Sequence, residues 1–89
     1  MARVVFTQNI QRHVECPETE AYGGSVREVL DNVFAGNPQA RSYVLDDQAA
    51  LRRHMTIFVD GRAVRDRARL SDPVAAGSTV YVFQALSGG

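Results

Sequence analysis

The chain has 89 residues, 45% of them hydrophobic and 22% charged, which describes one small globular domain with a single core and no room for a deep cofactor pocket. Ten basic residues balance ten acidic ones, so no net charge drives non-specific nucleic-acid binding. The one cysteine, Cys16, cannot close an intrachain disulfide, and with His13 and His54 it makes no zinc-ligand spacing.

The opening MARVVFTQ lacks the apolar heart of a signal peptide, and no apolar run approaches the roughly 20 residues of a membrane span. A reducing, cytoplasmic setting is expected, with no membrane, nucleic acid or metal as partner. ARVVFT (2–7) alternates, with Ala2, Val4 and Phe6 on one face and Arg3, Val5 and Thr7 on the other; Arg3 marks its face as the outer one. RHVEC (12–16) alternates again, with Val14 and Cys16 inward, and predicts the second arm of a hairpin. PETEAYGG is turn-rich and acidic and reads as a loop.

SVREVLDNVFAG carries the strongest helical signal. Ser25 and Glu28 stand three residues apart as a capping box, and Val26, Val29, Leu30, Val33 and Phe34 form one apolar stripe. Gly36 is expected to end the helix in a left-handed conformation. NPQARSY follows as a short second helical turn, capped by Asn37 with Pro38 at the first helical position. HMTIFVDGRAV predicts a strand, an Asp60-Gly61 hairpin turn and a short return strand, with Met55, Ile57 and Val59 opposite Thr56 and Phe58. RLSDPVAAGS is a loop with turns at Ser-Asp-Pro and Gly77. TVYVFQ is the last strand, with Val80 and Val82 inward and Tyr81 and Phe83 outward. This order predicts an α+β domain: a mixed sheet of four to five strands packed on one main helix.

The outward positions Val5, Phe58, Tyr81 and Phe83 put large apolar groups on the sheet face away from the helix, unless the loop 62–72 folds over them. An open patch of this kind marks a protein interface. Leu86 lies just past it, at the base of the closing ALSGG. Gly88 and Gly89 have no side chain to pack, ionise or coordinate; the only chemistry there is the carboxylate of Gly89.

Taken together, the opening RVVF strand, the SVREVLDNVF helix, LRRHMTIFVDGRAVR, PVAAGSTVYVF and the closing ALSGG resemble the ubiquitin-like β-grasp sulfur carriers of molybdopterin, thiamin-thiazole and cysteine biosynthesis. The likeness spans the chain, and the stretch from Leu51 to Arg65 looks most like the carrier of cysteine biosynthesis. A terminal Gly-Gly alone is a weak signal; just beyond the last strand of this pattern it is a strong one. The resemblance implies a β-grasp body over residues 1–85 and a flexible tail over 86–89. It implies a carrier that is itself no enzyme and binds no cofactor. A ubiquitin-activating-type adenylating enzyme would use Mg-ATP to adenylate Gly89. A sulfurtransferase or sulfide donor would convert it to a thiocarboxylate, and a sulfur-accepting biosynthetic enzyme would consume the sulfur. Ser87 and Gly88 would let the tail thread a narrow channel, while Val5, Phe58, Tyr81, Phe83 and Leu86 dock the body.

Three other readings stay open: a ubiquitin-like modifier conjugated through Gly89, the small subunit of a molybdopterin-synthase-like enzyme, and a plain β-grasp interaction module. All ten basic residues are arginine, so the chain cannot build lysine-linked polymers of itself. Residues 52–69 hold six arginines against Asp60 and Asp66, on the predicted edge hairpin and the loop after it. Such charge either keeps sheet edges apart or docks an acidic surface. Cys16 alternates inward before Pro17 and reads as a buried structural thiol. His13 and His54 have no carboxylate partner in sequence, and neither a phosphate-binding glycine loop nor a nucleophile-base pair is present.

Overall fold

The computed structural model describes residues 1–85. The chain enters on β1 (Ala2–Phe6), with Ala2, Val4 and Phe6 buried and Arg3 exposed. A single helical turn, α1 (Gln8–Gln11), follows at once, because the N–H groups of Ile10 and Gln11 both donate to the Thr7 carbonyl. That turn drives Ile10 fully into the core. The remaining elements are β2 (Thr19–Ala21), α2 (Val26–Ala35), α3 (Pro38–Val44), β3 (Met55–Val59), β4 (Arg62–Ala63) and β5 (Thr79–Gln84).

The strands form one mixed sheet in the order β2-β1-β5-β3-β4. β1 and β5 run parallel at its centre, and every other neighbouring pair is antiparallel. Parallel neighbours need a crossover, and the helices between β1 and β5 provide it. α2 lays Val26, Val29, Leu30 and Phe34 over the inner sheet face, where they join Val4, Phe6, Ile57, Val80 and Val82 in one core. The Phe6 and Phe34 rings meet at 6.2 Å between centroids. This is the α+β, β-grasp arrangement the sequence pattern implies.

The predicted start of α2 is correct: the Glu28 N–H donates to Ser25 Oγ, and Glu28 Oε1 accepts from the Gly24 N–H. Asn37 caps α3 as expected, accepting from the Ala40 N–H with Pro38 behind it. The Asp60-Gly61 turn has positive φ at both residues, 50° and 87°, as the right-handed twist of a two-residue hairpin requires.

Three expectations need correction. The second strand is not Arg12–Cys16. Once α1 forms, the chain passes through residues 12–18 as a loop, and pairing with β1 is made by Thr19–Ala21. The alternation at Val14 and Cys16 is real, since both are buried, but it records a loop pressed on the core rather than a ladder. PETEAYGG therefore contains a strand. Gly36 is not left-handed; its φ is −98°, and α3 begins so soon that the Asn37 N–H closes the turn on the Phe34 carbonyl.

Candidate functional site

The open sheet face is built by register. Val5 sits opposite Tyr81 across β1 and β5, and Tyr81 sits opposite Phe58 across β5 and β3. Directly paired residues point the same way, so Val5, Tyr81 and Phe58 make a continuous apolar row across three strands. Phe83, two residues along β5, extends the row towards the end of that strand, and its ring meets Phe58 edge-on at 6.4 Å. Such T-shaped pairs are worth about 0.5–1.5 kcal/mol beyond their burial.

Tyr81 is 41% and Phe83 39% exposed, while Val5 and Phe58 are half-buried. The loop 62–72 does not cover them. It is held over the start of α2, where the Arg27 guanidinium donates to the carbonyls of Ala49, Ala68 and Arg69. The Val26 N–H donates to the Asp72 carbonyl and the Arg27 N–H to the Leu70 carbonyl. The face is left as a shallow groove of about 420 Å³, lined by Phe58, Asp60, Gly61, Thr79, Tyr81 and Phe83.

Asp60 closes one end of that groove. Its carboxylate accepts from the Thr79 N–H at 2.9 Å and the Ser78 hydroxyl at 2.8 Å, and these bonds hold it below the usual carboxyl range. The other end is where β5 runs out. The Ala85 N–H donates to the His54 carbonyl at 2.9 Å, continuing the β3–β5 ladder by one step. The Tyr43 hydroxyl donates to Gln84 Oε1 at 2.9 Å, and the His13 ring stacks on Tyr43 at 5.6 Å. α3, backed by His13 from the loop after α1, thus braces the end of β5, a contact that local sequence patterns do not reveal because Tyr43 and Gln84 are 41 residues apart.

The structure brings Val5, Phe58, Tyr81 and Phe83 together as the sequence suggests. Leu86, Ser87, Gly88 and Gly89 lie outside the described residues. Cys16 is buried, with Sγ 3.4 Å from the Val14 carbonyl, and burial pushes its thiol pKa up, away from the reactive thiolate. Among the described residues no three histidine, cysteine or acidic side chains gather as a metal site, and no helix is long and apolar enough to cross a membrane. Arg52 and Arg67 serve the fold, donating to the carbonyls of Ser42 and of Arg52. Arg53, Arg62, Arg65 and Arg69 are exposed.

Comparison with known proteins agrees with this geometry. A search of curated proteins finds no match. Among solved structures, a chain of the BexX/CysO complex from Amycolatopsis orientalis aligns with a TM-score of 0.83 at 23% identity, covering 100% of both chains. CysO from Mycobacterium tuberculosis aligns at 0.79 and 20% identity over 97% of this chain and 100% of that one. SAMP1, small archaeal modifier protein 1, from Haloferax volcanii aligns at 0.78 and 23% identity over 99% and 98%. At these identities the structures speak for the fold. A sequence model of the ThiS family matches residues 4–89, nearly the whole length, and so the chain belongs to the ThiS family of ubiquitin-like β-grasp sulfur carriers.

Proposed function

We propose that this protein is a sulfur carrier whose body, residues 1–85, is a docking handle and whose working group is the carboxylate of Gly89. The observation that carries the reading is the apolar row Val5–Tyr81–Phe58 with Phe83, of which Tyr81 and Phe83 lie on the strand leading directly towards the tail. A partner that grips this face receives the tail in a fixed direction, so reaction at Gly89 becomes effectively intramolecular. The family match extends through residue 89.

The chemistry follows from a carboxylate that resists nucleophiles while ionised. In a ubiquitin-activating-type adenylating enzyme, a Gly89 carboxylate oxygen attacks the α-phosphorus of Mg-bound ATP and expels pyrophosphate. The mixed anhydride then accepts sulfide, or the sulfur of an enzyme persulfide, at its carbonyl carbon. AMP leaves and a terminal thiocarboxylate remains; with a persulfide donor, reduction of the enzyme-bound disulfide by a thiol completes the release. A biosynthetic enzyme takes the sulfur and returns the carboxylate. The body supplies no catalytic group; Gly88 and Ser87 let the tail pass a narrow channel, and Leu86 adds to the docking face.

Intact-mass measurement after incubation with Mg-ATP, an adenylating enzyme of this type from the same genome and sulfide tests the reading. A gain equal to one sulfur for one oxygen is expected, absent when Gly89 is deleted. No adenylate and no gain would sink it. The likeness to an archaeal modifier protein favours a second reading, conjugation of Gly89 to lysines of other proteins. Gel-shifted conjugates of a tagged form in lysate, lost with Gly89, would establish that role.

A further inference from the structure

The uneven charge of a neutral chain has a direction in the fold. Arg53 and His54 immediately precede β3, whose first residue, Met55, pairs with Gln84, and the His54 carbonyl holds Ala85. Arg53 therefore flanks the point where the tail departs. Arg67 reaches the same place, its Nη2 donating to the Arg52 carbonyl at 2.9 Å. On the other side of the exit, His13 stacks on Tyr43, which bonds Gln84, and Arg12 is its neighbour at the end of α1. Arg53 and His54 on one side, and His13 with its neighbour Arg12 on the other, so flank the end of β5, with Arg52 and Arg67, which also brace the fold, next to Arg53 and with Glu15 near His13; Arg12, His13, Arg52, Arg53 and His54 are exposed. Among the described residues no carboxylate lies within 4.0 Å of any of these four guanidinium groups, the ion pairs being Arg3–Glu18 and Arg27–Asp31.

The opposite end carries both signs. Asp60, Asp66 and Asp72 lie by the start of β5 or in the loop that caps α2, and each carboxylate accepts backbone N–H bonds that keep it ionised. Arg62, Arg65 and Arg69 are exposed beside these aspartates, so that end is balanced, whereas the exposed Arg12, Arg52 and Arg53 near the end the tail leaves have only Glu15 beside them.

We infer that the arginine collar around the tail exit is an electrostatic docking surface for an acidic protein surface, the rim of the channel that receives the tail. It acts ahead of the apolar face: the unbalanced positive charge at the exit turns the carrier tail-first during approach, and the apolar row then seats it. The inference deepens the carrier reading by naming the chemistry of the partner's rim, and it rests on that reading only for the partner's identity.

The test uses the full chain and a hexaglutamate peptide. In an amide NMR titration at low ionic strength, shifts are expected at residues 12–13, 52–54 and 67 and to vanish as salt is raised. Arg12→Glu with Arg53→Glu should weaken peptide binding about tenfold, whereas Arg62→Glu with Arg65→Glu, the same change of net charge placed elsewhere, should weaken it less than about twofold. Shifts spread evenly over the surface, or equal losses in the two double variants, would overturn the inference. With the adenylating enzyme, the first double variant should raise KM with kcat retained and the second should not. Equal KM for all three proteins would also overturn it. Failure of every form to be adenylated strikes the carrier reading instead and leaves the peptide titration to decide.

Discussion

Gly23 shows how a single backbone position ties the edge strand to the main helix. Its φ of 156° is one that side-chain-bearing residues rarely adopt, and a Cβ there would stand 2.7 Å from the Val29 nitrogen and 2.8 Å from its Cγ2. Neither can retreat, since Val29 is buried and helical. Gly23→Ala is expected to cost about 1–3 kcal/mol, read as a lower midpoint in urea; an unchanged midpoint would mean the chain between β2 and α2 can shift freely. The three aspartates held below the usual carboxyl value give a second prediction. Asp60 is lowered chiefly by the Thr79 N–H, Asp66 by the Ser71 hydroxyl and Asp72 by the Arg65 N–H. Groups whose folded pKa is depressed stabilise the fold above their unfolded value, near 3.8, and that stability is lost as pH falls through the folded values. Stability should therefore fall with acid below about pH 4. Asp60→Asn should be less stable at neutral pH and lose less on acidification; parallel pH profiles for the two proteins would contradict the assignment.

At the scale of elements, the loop 62–72 behaves as a cap on α2. Leu70 is fully buried with a φ of 56°, a left-handed conformation costing a leucine about 1–2 kcal/mol, and its carbonyl meets the Arg27 N–H. The Arg27 side chain adds three carbonyl contacts. Arg27→Ala should destabilise by about 2 kcal/mol and speed amide exchange in the loop, and Arg27→Lys should recover less than half because an ammonium cannot span the fork. If alanine were harmless, packing of Leu70 alone would hold the loop. This cap is invisible in sequence, since its partners are up to 42 residues apart. The elements that are legible carry their signal locally. α2 has an N-cap, its reciprocal glutamate and a full stripe, and β3 and β5 alternate cleanly. β2 has three residues and one buried side chain, Ala21, so its identity as a strand comes from β1 alongside it. Residues 12–16 alternate as a strand would but have no neighbour to pair with after α1 turns the chain. The open face is legible because alternation alone places Phe58, Tyr81 and Phe83. That they are adjacent needs register, which is set by the antiparallel pairing of β3 with β5 between elements about twenty residues apart.

For the whole molecule, a handle and a working end should fail separately. Phe83→Arg removes the edge-on contact with Phe58 and puts a charge on the docking face, but Phe83 is 39% exposed and outside the core, so the fold should lose no more than about 1.5 kcal/mol. Docking should suffer far more, because burying an unpaired guanidinium in an apolar contact is costly. Deleting Gly88 and Gly89 should leave the face intact and remove the carboxylate proposed to react. Neither variant should become a thiocarboxylate, so activity alone cannot tell them apart; competition can. Added in excess to wild-type protein and its adenylating enzyme, the truncated form should occupy the docking surface and inhibit adenylation. The Phe83→Arg form should not. If both inhibited equally, neither Phe83 nor the terminal glycines would carry the recognition, which would lie elsewhere on the body. If neither inhibited, body and tail would have to bind together, and the handle could not be treated as a separate part.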